Sequence, residues 1–237
     1  MWLNEEQVID SAIRGYRKTL LRSSPNHIVI DNLFNDAKLQ QVIRVLQQEH
    51  NWQTQQHTYS ALYVDNAKWQ KTHKKQRFVQ RDMWLRDGTS MNSADSNSAL
   101  QFLAFLRSDE FLSLLSRIFR VVITDINVAE PSINTNYFRL TASDFVNLHA
   151  DDSPGREVCM LLYLNKDWHS SCNRENNNGG ELVFKGTDNN PITIAPLYNR
   201  CVLFDPASEG SEHWVNALTT QNSHQYRYNV TSWYWSE

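Results

Sequence analysis

The stretch Val158-Cys159-Met160-Leu161-Leu162-Tyr163-Leu164 decides the fold of this chain, because it is a continuous apolar run of strand length. A polar turn, Asn165-Lys166-Asp167-Trp168, follows it. Gly179-Gly180 then allow a tight entry into a second apolar segment, Leu182-Val183-Phe184. Residues 200–204 read as a further buried strand. Short strands separated by turns predict two packed sheets with a binding site at their open end.

The whole chain, residues 1–237, is predicted to be a single domain that is mainly β with flanking α-helices, a double-stranded β-helix or cupin-like jelly roll. Residues 121–237 would form the β-helix core. Residues 1–120 would be a mainly helical support with a few strands.

Local signals place several elements in that support. Asn4 and Asn35 are predicted to cap two helices, with a strand at residues 27–30 between them. Two further helical segments are expected at about residues 100–106 and 110–119. The small polar residues 87–98 predict a loop, either a lid or an ordinary exposed loop.

Two histidines and one aspartate have the pattern of a metal site. Residues i and i+2 of a strand share a face, so His149 and Asp151 can grip one ion from the end of one strand. His213 would come from a neighbouring strand. This 2-His-1-carboxylate set is typical of non-heme Fe(II) sites with open positions for oxygen ligands. An isolated His-x-Asp triplet is also common by chance, so the prediction depends on the strands that flank it.

Arg227 lies in the last aromatic-rich segment and offers a fixed fork of donors for a carboxylate. A ferrous ion beside such an arginine predicts a 2-oxoglutarate-dependent oxygenase. A Zn²⁺ hydrolase is an alternative, since His and Asp also bind zinc. A non-catalytic binding module with the same fold is another. A zinc hydrolase would leave no reason for Tyr163, Thr231 and Arg227 to cluster. The intact ligands and Arg227 argue against the binding module.

The segment from Arg139 to Trp235 resembles the 2-oxoglutarate- and Fe(II)-dependent prolyl hydroxylase family. Its matching stretches follow the family's order: residues 149–151, 156–168, 179–182 and 227–234. Residues 27–34 also resemble the family's entry into the domain. Between about residues 52 and 131 no motif matches.

The resemblance implies a role for each matched residue. Three would bind Fe(II): His149, Asp151 and His213. Arg227 and Tyr163 would hold the far carboxylate of the co-substrate 2-oxoglutarate; O₂ is the other co-substrate, and ascorbate stays open as a reductant. The rest of the pocket would be Thr231 as a polar contact and Leu182 and Trp233 as apolar walls. The alternatives are plain core packing for Trp233 and a core tyrosine with a satisfied hydroxyl for Tyr163.

The implied reaction is hydroxylation of an unactivated C–H bond, in a prolyl residue of a protein or peptide. Hydroxylation of a free amino acid or other small metabolite is the alternative, because fold and metal site do not fix the substrate. The intact Asp151 favours hydroxylation over halogenation. Leu140 and Ser143 stand on the substrate side, where many relatives carry tyrosine and glycine.

Composition limits the partners and the cellular location that can be expected. The formal net charge of −3 gives no general attraction to nucleic acid or anionic membrane, and no stretch is apolar enough to span a bilayer. The N-terminus lacks the pattern of a signal peptide. The three cysteines, Cys159, Cys172 and Cys201, have no zinc spacing, and their odd number argues against a disulfide framework. A cytoplasmic protein is therefore expected; its oligomeric state is not indicated.

Residues 68–77 form one basic cluster with an aromatic side chain, Trp69. A solvated face is the simpler interpretation, and a contact with an acidic partner or RNA is the other. The remaining histidines of interest have no partner at ligand spacing and are predicted to lie on the surface: His57, His73, His169 and His224.

Overall fold

The computed structural model describes residues 1–86, 94–126, 128, 131–168, 178–188, 190–219 and 225–236. The helices are α1 (Asp10–Leu20), α2 (Asp36–Leu46), α3 (Asn66–Lys71), α4 (Ala94–Phe105) and α5 (Asp109–Phe119). The strands are β1 (His27–Asp31), β2 (Trp52–Thr58), β3 (Arg77–Trp84), β4 (Thr135–Leu140), β5 (Phe145–Val146), β6 (Arg156–Tyr163), β7 (Leu182–Phe184), β8 (Ile192–Ile194), β9 (Arg200–Phe204), β10 (His213–Val215) and β11 (Arg227–Trp235).

The strands form a large and a small antiparallel sheet. The large sheet has the order β1-β9-β6-β11-β4-β3-β2, and β5 pairs with β3 at its side. The small sheet has the order β10-β7-β8. The apolar run of the opening stretch becomes β6, at the middle of the large sheet, between β9 and β11.

Strand alternation gives the large sheet two different faces. On the inner face, which looks towards the small sheet, Cys159, Leu161 and Tyr163 pack with Leu182 and Phe184 of β7. On the outer face, the intervening residues of β6 join the core that the helices cover. Two facing sheets with helices on one outer side confirm the predicted jelly roll with flanking helices.

The N-terminal helices pack as predicted, with one correction. Asn35 caps α2, accepting a hydrogen bond from the amide of Lys38 at 3.1 Å. Asn4 instead caps a short 3₁₀ turn over Glu5–Gln7, and α1 begins later, after Ile9. Asn4 therefore starts a separate turn, because the chain bends between that turn and the helix.

The predicted loop over residues 87–98 is wrong at its end. Residues 87–93 lie outside the described residues, but α4 begins at Ala94, because the polar residues there form the first turns of a helix whose later part is apolar. β2 and β3, which no motif marks, extend the large sheet. The assignment of the whole chain to a single domain stays a prediction.

None of the helices in the described part of the chain combines the length and the apolar character that crossing a membrane requires.

Candidate metal and co-substrate site

A main-chain bridge joins His149 to His213, the first residue of β10, and brings the two predicted metal-binding histidines together. The amide of His149 donates to the carbonyl of His213 at 3.0 Å, and the amide of His213 donates back at 2.9 Å. Their rings lie 4.3 Å apart between centroids. His149 is an isolated bridge residue and Asp151 follows it, and neither lies in a named strand, so the prediction that both end one strand is wrong.

The backbone fixes the orientation of both imidazole rings. Nδ1 of His149 lies 2.9 Å from the carbonyl oxygen of Asn147, and Nδ1 of His213 lies 3.0 Å from that of Ser211. A carbonyl oxygen only accepts, so each Nδ1 carries the proton and each Nε2 keeps a lone pair. This is the arrangement of a histidine that binds a metal through Nε2.

Asp151 completes the triad. Its carboxylate oxygens lie 3.8 Å from Nε2 of His149 and 3.7 Å from Nε2 of His213, and ligand atoms of all three residues lie within 4.8 Å of one another. The indole of Trp233 donates to the carboxylate at 2.9 Å. Burial opposes the charged form, but the two histidines, the indole and Arg156 outweigh it, so the pKa of Asp151 is lowered.

Electrostatics keep His213 ready to bind a cation. Burial, helped by the nearby ring of His149, lowers the pKa of His213 to about 4, although Asp151 acts in the opposite direction. The ring is therefore neutral around neutral pH, as a metal ligand must be. One carboxylate between two imidazoles is the donor set expected for non-heme Fe(II).

Arg227 is buried on the inner face with part of its guanidinium unsatisfied. One terminal nitrogen donates to the side chain of Asn229 at 3.1 Å, while Nε and Nη2 have no hydrogen-bond partner among the described residues. The guanidinium carbon lies 4.8 Å from the ring centre of Tyr163, whose hydroxyl is also buried without a partner. Burial lowers the pKa of Arg227, with Tyr163 opposing. These orphaned donors mark a place for a carboxylate.

The surroundings of Arg227 are built closely around it. A Cβ added at Gly180, whose φ is +77°, would lie 2.7 Å from Cδ of Arg227. Only glycine therefore fits beside this arginine. The side-chain amide nitrogen of Asn229 also donates to the hydroxyl of Thr231 at 3.0 Å. Arg227, Asn229 and Thr231 therefore form one polar row along β11.

The two predicted apolar walls differ in what they contact. Leu182 is fully buried in the apolar cluster between the sheets. Trp233 packs against the same cluster and also holds the carboxylate of Asp151 through its indole. The missed residue in this group is Asn229, which strand alternation places two positions from both Arg227 and Thr231.

Sequence reasoning also missed the polar side chains of β2 and β3. Arg81 and Gln55 are paired across the strands on the inner face. His57, predicted to lie on the surface, is only 7% exposed, because its ring packs against Phe78 and Tyr63. His73 is exposed as predicted, while His169, His224 and Cys172 lie outside the described residues. No local signal distinguishes these β2 and β3 residues.

The basic cluster is partly structural. Trp69 is buried, and the guanidinium of Arg77 stacks on it and donates to its carbonyl at 2.7 Å. The lysines of the cluster are exposed. The aromatic residue therefore supports the fold and is not presented to a partner.

Comparison with known families agrees with this geometry. Residues 135–235 match the family model described as the 2OG-Fe(II) oxygenase superfamily. The match covers less than half of the chain, and over these residues the chain is similar to that superfamily. The match spans β4 to β11 and includes the triad, Tyr163 and Arg227. The oxygenases of this family use Fe(II), 2-oxoglutarate and O₂, and the His149–Asp151–His213 triad fits the iron of such a site.

Solved structures share the fold of nearly the whole chain. An oxidoreductase of the 2OG-Fe(II) oxygenase family from Burkholderia pseudomallei is 15% identical, with a TM-score of 0.59, covering 96% of this chain and 92% of that one. A prolyl hydroxylase from Trichoplax adhaerens, in complex with a hypoxia-inducible factor peptide fragment, is 18% identical, with a TM-score of 0.61 and coverages of 95% and 90%. A prolyl-4-hydroxylase from Pseudomonas putida is 14% identical, with a TM-score of 0.56 and coverages of 95% and 99%. At these identities the likeness concerns the fold.

A search of curated proteins found no match.

Proposed function

We propose that this enzyme hydroxylates an unactivated C–H bond in a reaction that depends on Fe(II) and 2-oxoglutarate, with a prolyl residue of a protein or peptide as substrate. The observation that carries the proposal is a set of three donor atoms without a partner, Nε and Nη2 of Arg227 and the hydroxyl of Tyr163, in a fold that also holds the His149–Asp151–His213 triad.

The triad and Arg227 would bind different groups, the metal and the co-substrate. His149, Asp151 and His213 would hold Fe(II) through two Nε2 atoms and one carboxylate. Nε and Nη2 of Arg227, with the hydroxyl of Tyr163, would donate to the far carboxylate of 2-oxoglutarate. Thr231 adds a hydroxyl on the same row, and Leu182 an apolar wall.

The other side chains of the site orient these groups. The carbonyls of Asn147 and Ser211 keep the protons on Nδ1 of the two histidines. The indole of Trp233 keeps the Asp151 carboxylate turned towards them. When bound, Fe(II) with 2-oxoglutarate and O₂ supplies the oxidising chemistry that inserts oxygen into the C–H bond. The protein supplies position and excludes water.

The prolyl substrate is supported by the resemblance in residues 139–235 and by solved structures of the same fold that are named prolyl hydroxylases. Hydroxylation of a free amino acid or other small metabolite is the second candidate. It is favoured by the guanidinium of Arg81, which has no acidic partner in the described residues and suits a substrate that carries its own carboxylate.

The test has two steps. The purified protein should form succinate only when both Fe(II) and 2-oxoglutarate are present, and zinc should not replace iron; succinate formation without iron would refute the oxygenase assignment. Candidate peptides and metabolite pools are then incubated with the enzyme and examined by mass spectrometry for the gain of one oxygen atom. A product in the peptide arm supports the prolyl proposal, and a product only among metabolites supports the second candidate.

A further inference from the structure

We infer that Arg81 is a specificity-determining residue that binds a carboxylate of the substrate, so that the enzyme selects an anionic substrate. This inference rests on the proposed function and narrows its substrate class. It does not follow from the matched family region, because β3 lies outside residues 135–235.

The position of Arg81 is fixed by two neutral neighbours. Its Nε donates to the side-chain oxygen of Gln55 at 3.1 Å. Its guanidinium carbon lies 3.4 Å from the ring centre of Phe138. Together they hold the guanidinium plane against the inner face, which is the preorganisation that a bidentate carboxylate site needs.

The charge of Arg81 is not neutralised by a direct acidic contact. Its terminal nitrogens make no hydrogen bond or ion pair with any residue in the described ranges. Arg139, which is buried on the outer face of β4, forms an ion pair with Asp82 at 3.0 Å, a kind of contact that Arg81 lacks among the described residues. Arg81 is half-buried, so its terminal nitrogens remain accessible to a ligand that carries an anion.

The guanidinium of Arg81 lies on the inner face of the large sheet, which also carries Arg227. Phe138, on which it stacks, is opposite Asn229 in the register of β4 and β11, and Asn229 bonds to Arg227. Burial lowers the pKa of Arg81 to about 10; the charge of Arg227 adds to this effect, and that of Asp151 opposes it. The charges of Asp151 and Arg227 therefore both affect the pKa of Arg81.

The surroundings leave the positive charge available. His57 lies on the same face of β2, and burial followed by the charge of Arg81 lowers its pKa to about 4, so that it is neutral. Gln55 and Phe138 are neutral as well. Because Arg227 is assigned to the co-substrate and Arg156 lies against Asp151, Arg81 is a cation that remains available for the substrate.

The carboxylate has two sources, and one experiment separates them. Protein loaded with Fe(II) and 2-oxoglutarate under anaerobic conditions is titrated calorimetrically with two sets of matched probes. One set contains common L-amino acids, L-proline included, each with its carboxamide. The other contains an acetylated Ala-Pro-Asp peptide amide and its Ala-Pro-Asn counterpart.

In at least one set the acid should bind roughly tenfold tighter than its neutral partner, as expected for a charged hydrogen-bonded pair. Arg81→Gln should bring the ratio close to one, and Arg81→Lys should restore part of it. Gln55→Glu keeps the arginine but supplies a competing carboxylate, so it should also abolish the preference. Lys75→Gln removes an exposed charge outside the pocket and should leave the ratio unchanged.

Equal binding of acids and neutral partners by the wild type, or no measurable binding of any acid, overturns the inference. So does a preference that survives in Arg81→Gln, or a loss in that variant of affinity for 2-oxoglutarate instead of the probe. Failure of the proposed function is a different result, namely no Fe(II)-dependent succinate from the wild type.

Discussion

Two strand pairs of the large sheet differ in what the sequence says about them. β6 and β11 carry Tyr163 and Arg227, lie within the matched family region, and leave unsatisfied donors where a co-substrate carboxylate belongs. β2 and β3 carry Gln55 and Arg81, match no motif, and leave a guanidinium without an acidic contact. The difference indicates that the first pair serves the common chemistry, while the second pair selects the substrate. Variants on either side can test this division.

The largest effect is expected on the metal. His213→Ala should abolish iron binding and turnover, because a ligand with a fixed, unprotonated Nε2 is lost. Bound iron per protein and succinate formation measure it. His73→Ala, at an exposed histidine, is the matched control. Turnover at the wild-type rate in His213→Ala would remove the triad from the mechanism.

Arg227→Ala should leave iron binding largely intact and weaken 2-oxoglutarate binding by roughly 2–5 kcal/mol, since a buried charge partner is lost. Titration of the iron-loaded variant with 2-oxoglutarate measures the change. Arg117→Ala, at an exposed arginine on α5, should change nothing. An unaltered affinity in Arg227→Ala would show that the co-substrate carboxylate binds elsewhere.

Gly180→Ala should displace Arg227 and strain the backbone, because the new Cβ would lie 2.7 Å from Cδ of that arginine at a φ of +77°. About 1–3 kcal/mol of folding stability should be lost, with a parallel loss of 2-oxoglutarate affinity. Chemical denaturation and titration measure the two. Gly15→Ala is the matched control: nothing lies within 4 Å of its added Cβ, and in α1 it should stabilise by roughly 0.5–1 kcal/mol. Equal behaviour of the two variants would contradict this close packing.

The smallest effect concerns His57 in the substrate-side pair. Its folded pKa is lowered to about 4, so the unfolded chain takes up a proton first as the pH falls. The stability due to the neutral ring is complete above the unfolded pKa of roughly 6.5 and is lost on acidification towards about 4. Between about pH 7 and about pH 5 the loss should be roughly 1–2 kcal/mol.

Denaturation of the metal-free protein measures this loss, and His57→Gln should show a correspondingly shallower pH dependence. Because His213 contributes a similar slope in both proteins, the difference between them isolates His57. Identical slopes would mean that His57 is not held neutral in the fold.

Local signals were sufficient for much of the fold. The apolar run of β6, the Asn35 cap of α2 and the final aromatic strand all lie where the sequence predicts them, because each depends on neighbouring residues. The predicted loop failed at residues 94–98, where α4 has already begun, and the Asn4 helix cap failed because Asn4 caps a 3₁₀ turn that precedes α1. β2 and β3 had no pattern strong enough to place them in a sheet.

The sequence by itself determined which side chains are candidates for the chemistry. The spacing of His149 and Asp151, the distant His213 and the arginine of the last strand are sufficient to indicate a metal beside a carboxylate site. Only the tertiary structure decided which residues face that site. The His149–His213 bridge, the burial of His57 and the placement of Arg81 on Phe138 all join segments distant in the chain. Such contacts depend on sheet order and strand register, which local periodicity does not encode.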